Sequence, residues 1–314
     1  MNTLKITKYI LLIGLTVFVL CVTPLFAEDD GNETIDPVQA AESEILARLN
    51  LARNNPWAEA ERLGLDPEIL RAEVVPEEVA EQWDQGLWPL VHNDVLHEVA
   101  KAHCEDMIER GFFSHVTPEG LTPEDRLIST GYNATIVKEG LGALAFDTYL
   151  DPGEAARMLM DALLRDSIIQ RETEEGPTLL NERVVEVGIA ILGGELTICE
   201  EQTHAYVLCI LLVRPDGPGV ETWVQCGWLY DDSNGNGIFD AGEGLPEMEM
   251  AIRNGEILAV TDARGRYCIQ RPLGRWVLQV DNRVLPHTAR LDDVAFDDGV
   301  LYRDYSYGTF RENW

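Results

Sequence analysis

The chain has 314 residues, with 55 acidic against 24 basic side chains and a formal net charge of −31. That excess argues against nucleic acid and anionic membrane surfaces as partners, and it fits a chain living with divalent cations or in salt. The length allows two domains, each with its own core.

Residues 1–27 read as an export signal. Lys5 and Lys8 supply the positive start, Ile10 to Cys21 the apolar run, and Leu25-Phe26-Ala27 the cleavage end. Leu25 is larger than the residue usual there, so an uncleaved anchor is the alternative; Leu20 before Cys21 fits a lipoprotein box poorly. No other stretch is long and apolar enough to span a bilayer, and no sorting tail is read at the C-terminal end. The expectation is a secreted, extracytoplasmic protein with no transmembrane span once the signal is cleaved. Cleavage removes two lysines and no acid, leaving Lys101 and Lys138 as the mature lysines. Asn32-Glu33-Thr34 and Asn133-Ala134-Thr135 are glycosylation sequons, meaningful only in a host that glycosylates.

Residues 28–41 form an acidic lead-in, after which helices dominate. Glu42 to Leu63 places Ile45, Leu46, Leu49 and Ala52 along one face, and a second helix is predicted from Pro67 to Trp83. Asn93 caps a third, with Leu96, Val99, Ala100, His103 and Met107 on its inner stripe and Gly111 at its end. Thr122-Pro123-Glu124-Asp125 starts a short helix closed by Gly131, and Asp151-Pro152 starts a longer one reaching about Asp166. Arg183 to Leu192, Glu195 to Cys199 and Ala205 to Val213 read as strands. Helices first and an antiparallel sheet late indicate an α+β sandwich over residues 42–214.

Within it, Gly111 to Gly131 reads GFFSHVTPEGLTPEDRLISTG, followed by Tyr132 and by Lys138-Glu139-Gly140. Leu49-Asn50, Ala52-Arg53, Pro89-Leu90, Val99-Ala100, Asp106-Met107 and Glu186-Val187-Gly188-Ile189 accompany it. Together these residues closely resemble the CAP superfamily (cysteine-rich secretory, antigen 5 and pathogenesis-related proteins) in its bacterial SCP-like form. The resemblance runs from about Ile45 to Val213 and implies an α–β–α sandwich with a cleft at one end. Members often gather two histidines and two acids there, a set able to hold a divalent metal. His115 matches the first histidine and Glu139 the acid of a Glu-Asn pair whose Asn is here Gly140. The region expected to carry the second histidine reads Leu163 to Gln170 and has none; His204, near the last strand, is a spatial candidate. Two ligands fall short of a catalytic zinc site, which needs three protein ligands and a water. His115 with Glu139 therefore reads as a cleft pair, the carboxylate tuning the imidazole, or as a structural bond tying a loop to the sheet. His103 reads as a core histidine, and His92 and His97 as facing solvent or a neighbouring insertion. Ser114 lacks a third group and a nucleophile elbow, so it is not read as a nucleophile.

Farther on, Trp223 to Tyr230, Met248 to Arg253, Glu256 to Thr261, Arg266 to Gln270 and Arg275 to Val280 are short alternating runs, punctuated by Asn254-Gly255 and Arg264-Gly265 as hairpin turns. Between the first two lies Asp232 to Glu243, DSNGNGIFDAGE, a complete twelve-residue calcium-loop pattern. Asp232, Asn234, Asn236 and Asp240 fall on the oxygen-ligand positions, Ile238 offers its carbonyl, Gly237 takes the sharp turn and Glu243 closes the loop. Flanking strands speak against a helix–loop–helix. This stretch resembles the calcium-binding B-type repeats of bacterial surface adhesins, which implies a small all-β immunoglobulin-like sandwich over residues 222–282, stiffened by calcium. Residues 283–314 form an acidic, aromatic tail. Its Tyr302, Tyr305, Tyr307, Phe310 and Trp314, with Trp276 before it, are free to pack back or to meet a partner. Asp292 to Gly299 reads as a solvated face, with a weak cation site as the lesser option.

Pairing is the default for exported cysteines. Cys226 with Cys268 across two strands, and Cys199 with Cys209 across a hairpin, are the pairings read, with Cys104 left buried on a helix; the spacing permits other pairings. The functional expectation is an exported, non-catalytic binding protein whose cleft takes a small apolar or lipid-like ligand or a cell-surface component. A metal-dependent hydrolase or peptidase working through His115 and Glu139 is the alternative, and an adhesion or matrix component the third reading.

Overall fold

The computed structural model describes residues 7–13, 16–22, 36–146, 149–169, 178–198, 201–216, 222–252, 256–272, 277–280, 283–284 and 300–312. Cys199, Asn254-Gly255, Trp276, Asp292 to Gly299, Trp314, the first sequon and most of the acidic lead-in lie outside these residues.

The apolar run read as an export signal forms two strands, β1 (Thr7–Ile13) and β2 (Thr16–Val22), paired antiparallel with each other. Helix α1 (Pro37–Asn54) begins five residues before the expected Glu42, because Asp36 accepts the Val38 N–H at 3.0 Å and Pro37 takes the first turn. The single helix predicted to Leu63 is two: Asn55 caps α2 (Pro56–Arg62) through the Ala58 N–H, and Pro56 cannot continue α1. In the same way Pro76 divides the second predicted helix into α3 (Pro67–Glu73) and α4 (Glu77–Gln85). After β3 (Val91–His92), Asn93 caps α5 (Asp94–Arg110), which ends at left-handed Gly111 as expected. A reciprocal capping box between Thr122 and Asp125 starts α6 (Pro123–Ile128). Strand β4 (Ala134–Phe146), α7 (Pro152–Ile169), β5 (Glu186–Ile198) and β6 (Glu201–Pro215) complete the first unit.

Its sheet has the order β2-β1-β4-β6-β5-β3, antiparallel except for β3 against β5. Alternate residues of β5 and β6 explain the layers. Val187, Ile189, Ile191, Leu208, Ile210 and Leu212 pack with α1 to α4 and α7 on one face. Ala190, Val207, Cys209, Leu211 and Val213 pack with α5 and Leu127 of α6 on the other. The fold is α+β, with helices on both faces of a central sheet.

The second unit is built from β7 (Thr222–Tyr230), β8 (Glu249–Ile252), β9 (Ile257–Val260), β10 (Arg266–Pro272), β11 (Leu278–Val280), β12 (Arg283–Val284), β13 (Val300–Tyr302), β14 (Tyr305–Ser306) and β15 (Arg311–Glu312). One sheet runs β10-β7-β13 with β14 also on β7; the other runs β15-β12-β11-β8-β9. Leu229, Tyr267, Ile269 and Tyr305 from the first meet Met250, Leu278 and Val280 from the second. The sheets thus extend past residue 282: four segments of the aromatic tail are strands, and Tyr305 and Phe310 are buried. Arg264-Gly265 does form a turn, with Gly265 at φ +83°, but it is not a hairpin: β9 pairs with β8 while β10 pairs with β7.

The units share a core. Val224, Cys226, Cys268 and Val300 on the outer face of the β10-β7-β13 sheet pack against Val185, Trp88 and Val91 of the first unit. Cys226 and Cys268 stand directly opposite in register and are disulfide-bonded, as expected. The expected bond at Cys209 fails. Cys209 is a free, buried thiol opposite Ala190, eight positions from Glu201 where β6 begins, or about 27 Å along the strand from the turn that was to bring a partner across. Cys104 is free and buried on α5.

Candidate functional site

His115 and Glu139, 24 residues apart, are brought together. Glu139 sits in the middle of β4 opposite Leu211, and its side chain is only 2% exposed. His115 leads out of the loop after α5, and its Nδ1 lies 2.8 Å from the Glu139 Oε2 with the ring half exposed. The other carboxylate oxygen accepts from Arg126 Nη2 on α6 and from the Cys209 thiol at 3.4 Å. Arg126 also donates from Nη1 to the His115 carbonyl at 2.7 Å, so a single guanidinium locks both members of the pair. Burial alone would raise the Glu139 carboxyl, yet the bond from His115 and the charges of Arg126 and His103 outweigh it and hold the group below its usual range. Burial, then a hydrogen bond with Cys104 and the negative charge of Glu139, push the Cys209 thiol well up, so it stands protonated as a donor.

The loop is anchored from beneath. His103, buried on α5, places Nε2 2.9 Å from the Ser114 carbonyl, and burial pushes its pKa down, so the ring is neutral at neutral pH. His103 is a core histidine that fixes the backbone next to His115. Ser114 Oγ accepts the Val116 N–H at 3.1 Å and serves the turn. His204 does not join the pair. It lies opposite Phe146 and Glu195 at the far end of β6, seven positions from Leu211, a distance of about 23 Å along the strand. His97 is bound to the Ile189 carbonyl at 2.6 Å, and His92 to Asp94 at 3.2 Å. Both Glu139 oxygens are committed to donors, and among the described residues no three His, Cys, Asp or Glu side chains are grouped to hold a metal. The donor set around His115 therefore does not fit a catalytic metal, which needs three protein ligands.

Other residues of the motif prove to be architectural. Asn50 accepts from the Leu90 N–H at 2.7 Å and donates to its carbonyl at 3.1 Å. Arg53, fully buried, gives its guanidinium to the carbonyls of Trp88, Leu179, Asn181 and Val184. Burial and the nearby Arg266 push its pKa down to about 9. Glu186 binds Asn93, Tyr132 and, across the junction, Gln270.

The twelve-residue loop hangs from the end of β7. Gly237 adopts φ +79° at the turn, with open space around it, so backbone freedom alone requires glycine there. Asp232 Oδ2 accepts the Gly237 N–H, Asn234 Oδ1 the Asn236 N–H and Asn236 Oδ1 the Ile238 N–H, at 2.9 to 3.0 Å. Asp240 Oδ2 accepts both Asn amides, at 2.6 and 2.7 Å, and Glu243 accepts from Ser233 and from the Asp240 N–H. One oxygen, Asp232 Oδ1, is buried without a partner. The side chains at positions one, three, five, nine and twelve thus each bond within the loop; Asp232, Asp240 and Glu243 are not drawn together into one metal-binding group, while the residue types are the oxygen donors that a hard cation takes. Phe239 of the loop stacks on Trp228 at 4.0 Å, and Tyr230 donates to the Gly237 carbonyl at 3.2 Å.

No family model matches this chain, and no curated protein sequence matches it. Two solved structures are similar at 14% identity. An outer surface protein from Borrelia burgdorferi gives a TM-score of 0.32, with 58% of this chain and 96% of that one covered. An extracellular protein containing a SCP domain from Bacillus anthracis gives 0.28, with 62% of this chain and 46% of that one covered. Neither score reaches the level at which a shared fold, or anything beyond it, is established.

Proposed function

We propose that this chain is an exported binding protein that recognises a small apolar or surface-derived ligand beside His115, with calcium bracing its second unit. The observation that carries the first part is the state of Glu139. Both oxygens of its carboxylate are engaged, one by His115 and the other by Arg126 and Cys209, so it serves to hold His115 in place. Apolar character lies alongside: Val116, Leu121 and Ile128, on the loop and helix that carry Arg126, are 41%, 47% and 64% exposed. A half-exposed imidazole on a segment that also exposes aliphatic side chains suits a mostly apolar ligand with one polar group.

Asp232, Asn234, Asn236, the Ile238 carbonyl, Asp240 and Glu243 would hold calcium, and the buried, unpartnered Asp232 Oδ1 supports that assignment. The ion would supply charge compensation for the loop and nothing to His115 and Glu139. The likeness to B-type adhesin repeats makes the second unit a calcium-stiffened, immunoglobulin-like spacer in this reading.

Native mass spectrometry of protein recovered from outside the host cell tests this reading. An apolar adduct lost in Ile128→Glu, one bound calcium, and a mass beginning at Glu28 are the expected results. Hydrolysis of a substrate panel that both chelator and His115→Ala abolish would establish the peptidase or hydrolase reading instead. No helix among the described residues is long and apolar enough to cross a membrane.

A further inference from the structure

Two cysteine thiols meet between α5 and the sheet, next to Glu139. Cys104 and Cys209 are both free and fully buried, and they belong to the same apolar cluster. Cys209 stands directly opposite Ala190 in the register of β5 against β6, and Val207 is two positions along on the same face. The Cys104 Sγ lies 3.6 Å from the Ala190 carbonyl oxygen and 3.7 Å from that of Val207, which sets it beside Cys209. The two thiols are hydrogen-bonded to each other. Helix α5 also rides low on β5: Gly188 faces the Leu96 backbone and Gly194 the Ile108 side chain, each with too little room for a Cβ. Disulfides span Cα separations of about 4.4–6.8 Å, so such close seating is what a bridge between helix and sheet needs.

We propose that Cys104 and Cys209 are a second disulfide site, closed by exchange with an external disulfide and tying α5 to β6. One protein thiol, as thiolate, attacks the external disulfide and displaces one half, which takes up the proton. The other protein thiol then attacks the protein sulfur of the mixed disulfide, and the second half leaves with its proton. Two protein thiols are thereby oxidised and one external disulfide is reduced to two thiols. Both sulfurs are buried, so the exchange takes place while α5 is off the sheet, during folding or local opening. Closure has a consequence at the candidate site. The Cys209 S–H donates to the Glu139 Oε1 at 3.4 Å, and a disulfide sulfur has no proton to give. Oxidation therefore strips one donor from the carboxylate that holds His115 and leaves Oε1 to Arg126. An oxidising location for the chain rests on the export reading; an oxidant supplied in vitro makes the test independent of it.

The reduced full-length chain is refolded in millimolar oxidised glutathione, and samples whose circular dichroism matches the unreduced protein are alkylated and cleaved after Glu. That cleavage parts Cys199 from Cys209 at Glu200 and Glu201. A Cys104 peptide joined to a Cys209 peptide is the expected result, with Cys226 joined to Cys268 beside it. The His115 ring resonance, identified through His115→Ala, shifts between reduced and oxidised protein, and in Cys104→Ala it stays at the reduced position. Alkylated Cys104 and Cys209, or Cys209 joined to Cys199, overturns the disulfide site. A link that leaves the His115 resonance unmoved overturns its coupling to Glu139.

Discussion

Glu139 is a buried charge whose cost is met by three donors, and the balance is asymmetric. Replacing it by Gln leaves Arg126, also nearly buried, without its counter-charge, and breaking a buried pair from one side costs about 3–5 kcal/mol. Urea unfolding of Glu139→Gln measures that loss. Acid acts on the same cluster in two steps. His103 is held below its ordinary 6.5, so the unfolded chain takes up its proton first and stability falls as pH drops below 6.5. Glu139 is held below its ordinary 4.5, so its contribution is complete above that value and is lost as pH falls through the lower folded one. The melting temperature is therefore expected to decline first below pH 6.5 and again below 4.5, with His103→Gln removing the first decline. His115 and Glu139 were legible because a loop motif and a short strand motif carry them. Cys209 was not, because its contact with Glu139 spans 70 residues and depends on the register of β4 against β6. His204 misled for the same reason: its nearness to the last strand says nothing about its position along that strand.

Among elements, caps and prolines were read well at the starts of α5, α6 and α7, missed at Asp36-Pro37, and read less well where they divide helices. Asn55-Pro56 and Pro76 each end one helix and start another within a continuous apolar pattern, and pattern alone does not register the change of direction. Strand β4 escaped notice because Gly140 and Gly142 interrupt it and its centre is buried on both faces, so no alternation shows. Those glycines make room for helix α7 and the loop after it: a Cβ on Gly142 would lie 2.9 Å from Leu159. Gly188 is tighter. A Cβ there would lie 2.0 Å from the Leu96 carbonyl carbon of α5, which is backbone and cannot turn aside. Gly188→Ala is expected to cost about 3 kcal/mol, with α5 displaced from the sheet, as read by chemical denaturation. The disulfide closes a 42-residue span between β7 and β10, and chain entropy sets its contribution at about 4 kcal/mol. The Cys226→Ser, Cys268→Ser double variant is expected to lose that much in denaturant titration.

For the whole molecule, calcium should act beyond its own loop. At free calcium a hundredfold above Kd, binding adds about 2.7 kcal/mol, visible as a melting shift that chelator reverses. Asp232→Ala with Glu243→Ala is expected to abolish the shift, and a wild-type protein indifferent to chelator would remove calcium from the picture. The strands of the second half were legible in its short alternating runs. The interface was not, since Trp88, Val91 and Val185 look like ordinary core residues until their partners are known.

Phe239, Trp228 and Trp88 touch in sequence, ring against ring, from the twelve-residue loop into the first unit, and Tyr302 of the second unit meets Trp88 in turn. Adhesin-like beads on a string can be cut apart and recombined; this pair cannot. Severing the chain between residues 216 and 222 would lay bare Trp88 and Val185 on one side and Cys226, Cys268 and Val300 on the other, so each half expressed alone would be sticky rather than autonomous. Evolution of this chain can vary the surfaces of either half, but the seam between them has to change on both sides at once.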